Sequence, residues 1–155
     1  MSDTRALASL TVRSEAAGIT PIVVAMDGER DKEIVRALSR GRYPTLFPKD
    51  AGRLLALIRR ARFTVCGRLH AAVLSASADT PYVGYDSDGR IGAFSVYSGS
   101  GIRLRSGKFD RAELFYAIRT ECYIHQKHPY SERIEELRQL AREDIRALDE
   151  WITNG

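Results

Sequence analysis

Apolar positions along the chain fall into two kinds of run. Short unbroken runs occupy residues 21–26 (Pro-Ile-Val-Val-Ala-Met), 63–66 (Phe-Thr-Val-Cys) and 81–85 (Pro-Tyr-Val-Gly-Tyr). An unbroken run, unlike strict alternation, marks a strand covered on both faces, as in parallel sheets. Residues 43–47 read as a shorter strand that Pro44 confines to an edge, and residues 102–104 as a last short one. Between these runs the apolar residues recur at helical spacing. Residues 4–17 present Leu7, Leu10 and Val12 and stop at Gly18. Residues 29–39 present Ile34, Val35 and Leu38 and close at Gly41. Asp50 is placed to cap a helix with Leu54, Leu55, Leu57 and Ile58 inward and Arg53, Arg59, Arg60 and Arg62 outward. The small residues of 70–78 let that helix lie close to a sheet. Residues 91–97 form a short helix after the 86–90 loop, and Asp110 caps a helix reaching about residue 123. A connector at 125–129 leads to a long charged helix from 131 to about 152, with Leu137, Leu140, Ile145, Leu148 and Trp151 as its apolar stripe.

Alternating strand and helix predicts an α/β fold, an open parallel Rossmann-like sheet flanked by helices. The 155 residues fit a single domain 1–155, with the sheet core at about 4–105 and extra C-terminal helices at about 110–153. Ligands of such sheets bind at the carboxyl ends of the strands. Those ends are Asp27, Phe47, Gly67-Arg68 and Tyr85-Asp86.

Charge narrows the choice of ligand. The 24 Lys and Arg against 20 Asp and Glu leave a formal +4, which suits an anion. Both signs are interspersed along the helices, with no basic stripe interleaved with aromatics, so nucleic acid is not the expected partner. No apolar run reaches the ~20 residues of a membrane helix, and residues 1–5 do not open a signal peptide. Cys66 and Cys122 stand far apart without a CxxC or Cys/His spacing, so no metal is expected and a reducing, bacterial-type cytoplasm is the expected setting.

The chemistry gathers at Gly67-Arg68-Leu69-His70, where a strand turns into a helix. A helix start exposes unpaired N–H groups and favours negative charge. Gly67 permits close backbone approach, Arg68 can grip a carboxylate or phosphate in bidentate fashion, and His70 can donate a hydrogen bond or work as a general acid or base. The bland alternative is that Arg68 pairs with a local acid and His70 caps or packs. Other positions are weaker candidates. His125 and His128 read as polar connector residues, Asp86 and Asp88 as part of a glycine-containing turn, and Cys66 as a small core residue. Tyr82, Tyr85 and Tyr97 are suited either to stacking a sugar or to packing.

Residues 61–86, Ala-Arg-Phe-Thr-Val-Cys-Gly-Arg-Leu-His through Thr80-Pro81 to Tyr85-Asp86, resemble the C-terminal signature of the polysaccharide pyruvyl transferase family. In that family a strand ends in a small residue and Arg-Leu-His, an alanine-rich helix follows, and a Pro-led strand ends in Tyr-Asp with a basic residue soon after. The likeness extends more loosely over about residues 7–94. It implies the C-terminal domain of a GT-B-like enzyme that moves a pyruvyl group from phosphoenolpyruvate to a sugar of a cell-surface polysaccharide, forming a ketal. Phosphoenolpyruvate is then a donor substrate, and no cofactor is implied. Gly67, Arg68, Leu69 and His70 would bind it, with Leu69 lining the pocket and His70 protonating the methylene carbon as the catalytic acid. Tyr85, Asp86 and Arg90 are additional site candidates, Arg90 standing one residue beyond the family's lysine. The family enzyme is about twice as long, and its C-terminal domain opens with a strand before the first helix. A separate N-terminal-domain partner is therefore expected to complete the cleft, this half being inactive without it, whereas a homodimer is expected of a non-catalytic assembly module. Two other functions share the pattern: a non-catalytic anion-binding or assembly module of the same fold, and a GT-B-type nucleotide-sugar-binding domain.

Overall fold

The computed structural model describes the backbone from Ser2 to Asn154 and, within that span, the side chains other than those of residues 2, 148 and 150–154. The elements run α1 (Ser2–Ala16), β1 (Val23–Val24), α2 (Lys32–Ser39), β2 (Thr45–Leu46), α3 (Ala51–Ile58), β3 (Thr64–Cys66), α4 (Leu69–Ser77), β4 (Tyr82–Asp86), α5 (Arg90–Ser98), β5 (Ile102–Arg105), α6 (Arg111–Lys127) and α7 (Ser131–Asn154). Strands and helices therefore alternate as expected, and every strand pairing is parallel. The expected single sheet is instead two small ones, β1-β2 and β3-β4-β5. The run at 21–26 contributes only Val23–Val24 to a ladder, and Ile22 is exposed. The physical reason is that its partner β2 is only Thr45–Leu46, held between Pro44 and Pro48, whose nitrogens have no hydrogen to donate to a longer ladder.

Side chains of the larger sheet alternate between two helical layers, as a pleated strand requires. Phe63 and Val65 of β3 and Val83 and Tyr85 of β4 join a cluster with Ala6, Leu7 and Leu10 of α1, Ile34 and Leu38 of α2, and Leu114, Ala117 and Ile118 of α6. Cys66 of β3 and Tyr82 of β4 join the opposite cluster, with Ala72 and Ala76 of α4, Ile91 of α5 and Ile134 of α7. Each fully buried aliphatic side chain here contributes ~1.5–3 kcal/mol relative to exposure. A third cluster of Val23, Ala25, Val35 and Tyr43 seats the small sheet on α2.

Local signals end the helices where the sequence marks them. The Ile19 amide donates back to the Ser14 carbonyl at 2.8 Å, with Gly18 left-handed, which closes α1. The Asp50 carboxylate accepts from the Gly52 amide at 2.7 Å. Asp110 and Glu113 form a reciprocal capping box at the start of α6.

Several expectations need correction. Val12 is exposed, because α1 packs through Ala6 and Leu7. Helix α2 begins at Lys32, after a turn over residues 28–31. Helix α6 runs on to Lys127, so His125 is helical and only Pro129 forces the break. Among the described side chains, the stripe of α7 is buried only at its start. Ile134 is covered and Leu137 is half-buried, whereas Leu140 and Ile145 are exposed. Leu148 and Trp151 lie outside the described side chains.

A buried polar network holds the α6–α7 turn to β4. Glu121, 3 % exposed, accepts from the Tyr130 hydroxyl, which in turn accepts from the amides of Gly101 at 3.2 Å and Tyr82 at 3.4 Å. Asp79 accepts from the Tyr130 amide at 2.8 Å and pairs with His125 Nε2 at 3.0 Å. His125 therefore ties helices together, while His128 is exposed.

Candidate functional site

Three loops meet at the carboxyl ends of β1, β3 and β4. Strand β3 ends at Cys66, Gly67 turns the chain, and Arg68 is the extended N-cap of α4 without a side-chain cap of its own. The Leu69 and His70 amides thus head a helix whose first carbonyl partner is Arg68, which accepts from the amides of Ala71 at 3.1 Å and Ala72 at 3.3 Å. His70 is exposed in the first turn, Leu69 is half-buried against the α4–α5 layer, and Gly67 is exposed. A Cβ on Gly67 would stand 2.6 Å from the Tyr85 hydroxyl, so the tyrosine can lie across this turn only because position 67 has no side chain. The Tyr85 ring packs edge-on against Phe109 at 5.7 Å, and burial, with nearby negative groups adding to it, pushes its hydroxyl up to about 12. Tyr85 therefore sits there as a neutral phenol.

The Arg68 guanidinium does not stand alone. Its Nε donates to Asp31 Oδ1 at 3.1 Å, and its terminal nitrogen makes a second contact with the same oxygen. The other oxygen of Asp31 accepts from the amides of Met26 at 3.0 Å and Asp27 at 2.9 Å, directly beyond β1. One carboxylate therefore orders the β1–α2 turn and holds the cation of the β3–α4 turn. Burial pushes the Asp31 carboxyl up, but the hydrogen bonds from Arg68, Asp27 and Met26 and the charge of Arg68 outweigh it, and the group lies below its usual range. The hydrogen bond to Asp31 correspondingly raises Arg68. The side chains are 38 % exposed at Arg68 and 13 % at Asp31, so the pair borders solvent from the arginine side.

The remaining candidates are engaged separately. Asp86 Oδ2 accepts from the Ile91 amide at 2.6 Å and Oδ1 from Arg103 Nε at 2.7 Å, which fixes the start of α5. Arg90 is exposed and pairs with Asp88 at 2.7 Å, and Asp88 also accepts from the Arg90 amide. The two carboxylates of the 86–90 loop thus serve different partners. Tyr82 is fully buried, its hydroxyl donating to the Ser100 carbonyl at 2.9 Å, whereas Tyr97 is exposed on α5. Cys66 is buried beside Thr64 and Ser75, and burial pushes its thiol up, which leaves it inert as a nucleophile. Both cysteines are free thiols.

Gly67, Arg68 and Tyr85 are thus brought together, with His70 beside them in the first turn of α4, and Asp86 and Arg90 are turned to the α5 loop. Asp31 joins the first group without having been a sequence candidate. The sequence places it inside the helix expected at 29–39, where nothing distinguishes it from the other polar residues of that stretch.

Two open grooves lie near the small sheet. One of about 430 Å³ is lined by Gly28, Lys32, Arg36 and Phe47, and one of about 480 Å³ by Phe47, Lys49, Arg53 and Leu57. Neither is lined by Gly67, Arg68 or His70.

No family model, no curated protein and no solved structure matches the chain. Among the described residues, no helix is long and apolar enough to cross a membrane. What the site can do chemically therefore rests on its own geometry: amide dipoles, a guanidinium and an imidazole at one strand end, with an acid already seated on the guanidinium.

Proposed function

We propose that the β3–α4 junction is the donor-binding half of a phosphoenolpyruvate-dependent pyruvyl-transfer site acting on a polysaccharide sugar, in a GT-B-like enzyme of the cytoplasm. The carrying observation is the solvent-facing start of α4, uncapped by any side chain, with Arg68 and His70 flanking it. The likeness of residues 61–86 to the family signature supports the choice of phosphoenolpyruvate. The phosphate or carboxylate of the donor meets the Leu69 and His70 amides and Arg68. His70 protonates the methylene carbon, and sugar hydroxyls add to the resulting cationic centre as phosphate departs.

A specific observation favours a second function. The Asp31 carboxylate occupies the guanidinium that a donor would need, which suits a non-catalytic module in which Arg68 clasps two loops. Calorimetric titration with phosphoenolpyruvate separates the two. In the transferase, Arg68→Ala weakens binding at least tenfold with an unchanged circular dichroism spectrum. Adding a β-linked sugar acceptor and candidate N-terminal-domain partners then releases phosphate. Equal affinity in wild type and Arg68→Ala, or no release in any combination, removes the transferase and leaves the clasp.

A further inference from the structure

Helix α7 leaves the rest of the fold part-way along its length. Ile134 is buried and Leu137 half-buried in the cluster that holds Ala72 and Ala76 of α4 and Ile91 of α5. Arg133 donates to the Tyr97 carbonyl at 3.4 Å and Arg138 to the Ser77 carbonyl at 2.9 Å. Beyond Arg138 the described side chains, residues 139–147 and 149, are all exposed, while the helix continues to Asn154. The projecting part is roughly 16 residues, or ~24 Å, long. A helix of that length is marginal in water unless an apolar face is covered.

The sequence supplies such a face. At ~3.6 residues per turn, positions 134, 137, 141, 145, 148 and 152 fall on one stripe about 80° wide. They are Ile, Leu, Ala, Ile, Leu and Ile. The stripe that seats α7 on α4 and α5 therefore runs on past the last of those contacts, where Ala141 and Ile145 are exposed.

The outer part of the stripe is its own complement. Positions 141 and 152, and likewise 145 and 148, are equidistant from the midpoint between Arg146 and Ala147. Two copies laid antiparallel about a twofold axis through that midpoint set Ala141 level with the partner's Ile152 and Ile145 level with the partner's Leu148. Such layers are those of an antiparallel coiled coil, and the interface uses the same patch on both copies. Charge selects this orientation. In the antiparallel pair Arg142 borders the stripe beside the partner's Asp149, and the twofold repeats the contact. In a parallel pair Asp144 would stand beside the partner's Asp149, also twice, and like charges there oppose pairing.

We propose that the chain forms a homodimer through the outer half of α7, antiparallel and centred between Arg146 and Ala147. The occupant is a second copy because the apolar positions and the flanking charges both match themselves about that one point. The dimer holds whether or not phosphoenolpyruvate binds at the β3–α4 junction.

The test is sedimentation equilibrium of the whole chain and its variants, with circular dichroism confirming that each is folded. Wild type should dimerise in the micromolar range. Ile145→Asp, at an exposed position, should weaken association at least tenfold. Arg142→Asp and Asp149→Arg each bring like charges together twice and should each weaken it several-fold. The double variant Arg142→Asp/Asp149→Arg restores opposite charges and should return to within about twofold of wild type. A wild type still monomeric at about 0.3 mM would overturn the proposal. So would association untouched by Ile145→Asp, or a double variant that binds itself no better than the single ones.

Discussion

Replacing Asp31 by asparagine isolates what the carboxylate contributes at the strand ends. The substitution preserves shape and leaves one carbonyl oxygen for the Met26 and Asp27 amides, now 3.0 and 2.9 Å from Oδ2. It turns an NH2 group toward the Arg68 guanidinium, donor against donor. Hydrogen bonds to a charged acceptor contribute ~1.5–3 kcal/mol against ~0.5–1.5 for a neutral one, a difference of about 1 per bond that solvent screening at this partly covered site roughly halves, so the two amide bonds together lose about 1 kcal/mol. The Arg68 side chain is 38 % exposed, which restricts the ion pair to the surface range of about 0.5–1 kcal/mol. Asp31→Asn should therefore cost about 1.5–2 kcal/mol at pH 7, measured by urea unfolding followed by circular dichroism. The pH dependence carries the sign. The folded carboxyl lies below its ordinary 3.8, so its contribution is complete above that value and is lost as pH falls through the folded pKa. The gap between wild type and Asp31→Asn should be constant from pH 5 to 8 and narrow below pH 4. Binding should move the other way. A carboxylate bonded to the same guanidinium costs an incoming phosphate roughly 1–3 kcal/mol in a surface dielectric. Asp31→Asn should then bind phosphate or phosphoenolpyruvate on the order of tenfold more tightly by calorimetry. A variant as stable as wild type that also binds no better would refute both the clasp and the competition.

Two further outcomes follow from buried features. Burial raises the Glu121 carboxyl above its ordinary 4.5 despite the bond from Tyr130, so its favourable contribution is present below that value and is lost as pH rises through the folded pKa. Glu121→Gln should therefore flatten the loss of stability above pH 4.5 and be at least as stable as wild type at pH 8, as thermal melts across pH will register. A Cβ on Gly84 would stand 2.2 Å from Ile91 Cγ2 inside the β4–α5 contact, and Ile91 is fully buried. Gly84→Ala should cost ~1–3 kcal/mol and lower the midpoint of thermal unfolding by several degrees; an unchanged midpoint would mean that α5 is free to move off β4.

The patterns legible in the sequence are those in which cause and consequence are close in the chain. Helix starts at Asp50 and Asp110, the stop at Gly18, and the strand–turn–helix at 63–70 depend on residues within one turn of each other. None of them depends on a tertiary contact. The covered strand at 81–85 was also legible, because burial on both faces leaves an unbroken apolar run whatever the neighbours are. The run at 21–26 has the same composition and a different fate. An apolar run specifies that a strand can be buried, but not which strand it pairs with or over what length, and the partner of β1 is two residues long. The alternation therefore indicated α/β and parallel pairing but not the division into two sheets. The candidate site divides along the same line. Gly67, Arg68 and His70 stood out because they share one turn. Asp31 is 37 residues away, and in the sequence it is one more polar residue of the helix expected at 29–39. Its second role arises only when the doubly wound path brings the ends of β1 and β3 to the same end of the molecule. That second role decides the chemistry. An arginine at a helix start is an anion receptor, but an arginine already bonded to an aspartate presents an anion with a competitor. The strength of the site is therefore set by the difference between two anions for one guanidinium, a quantity that no single stretch of the chain contains.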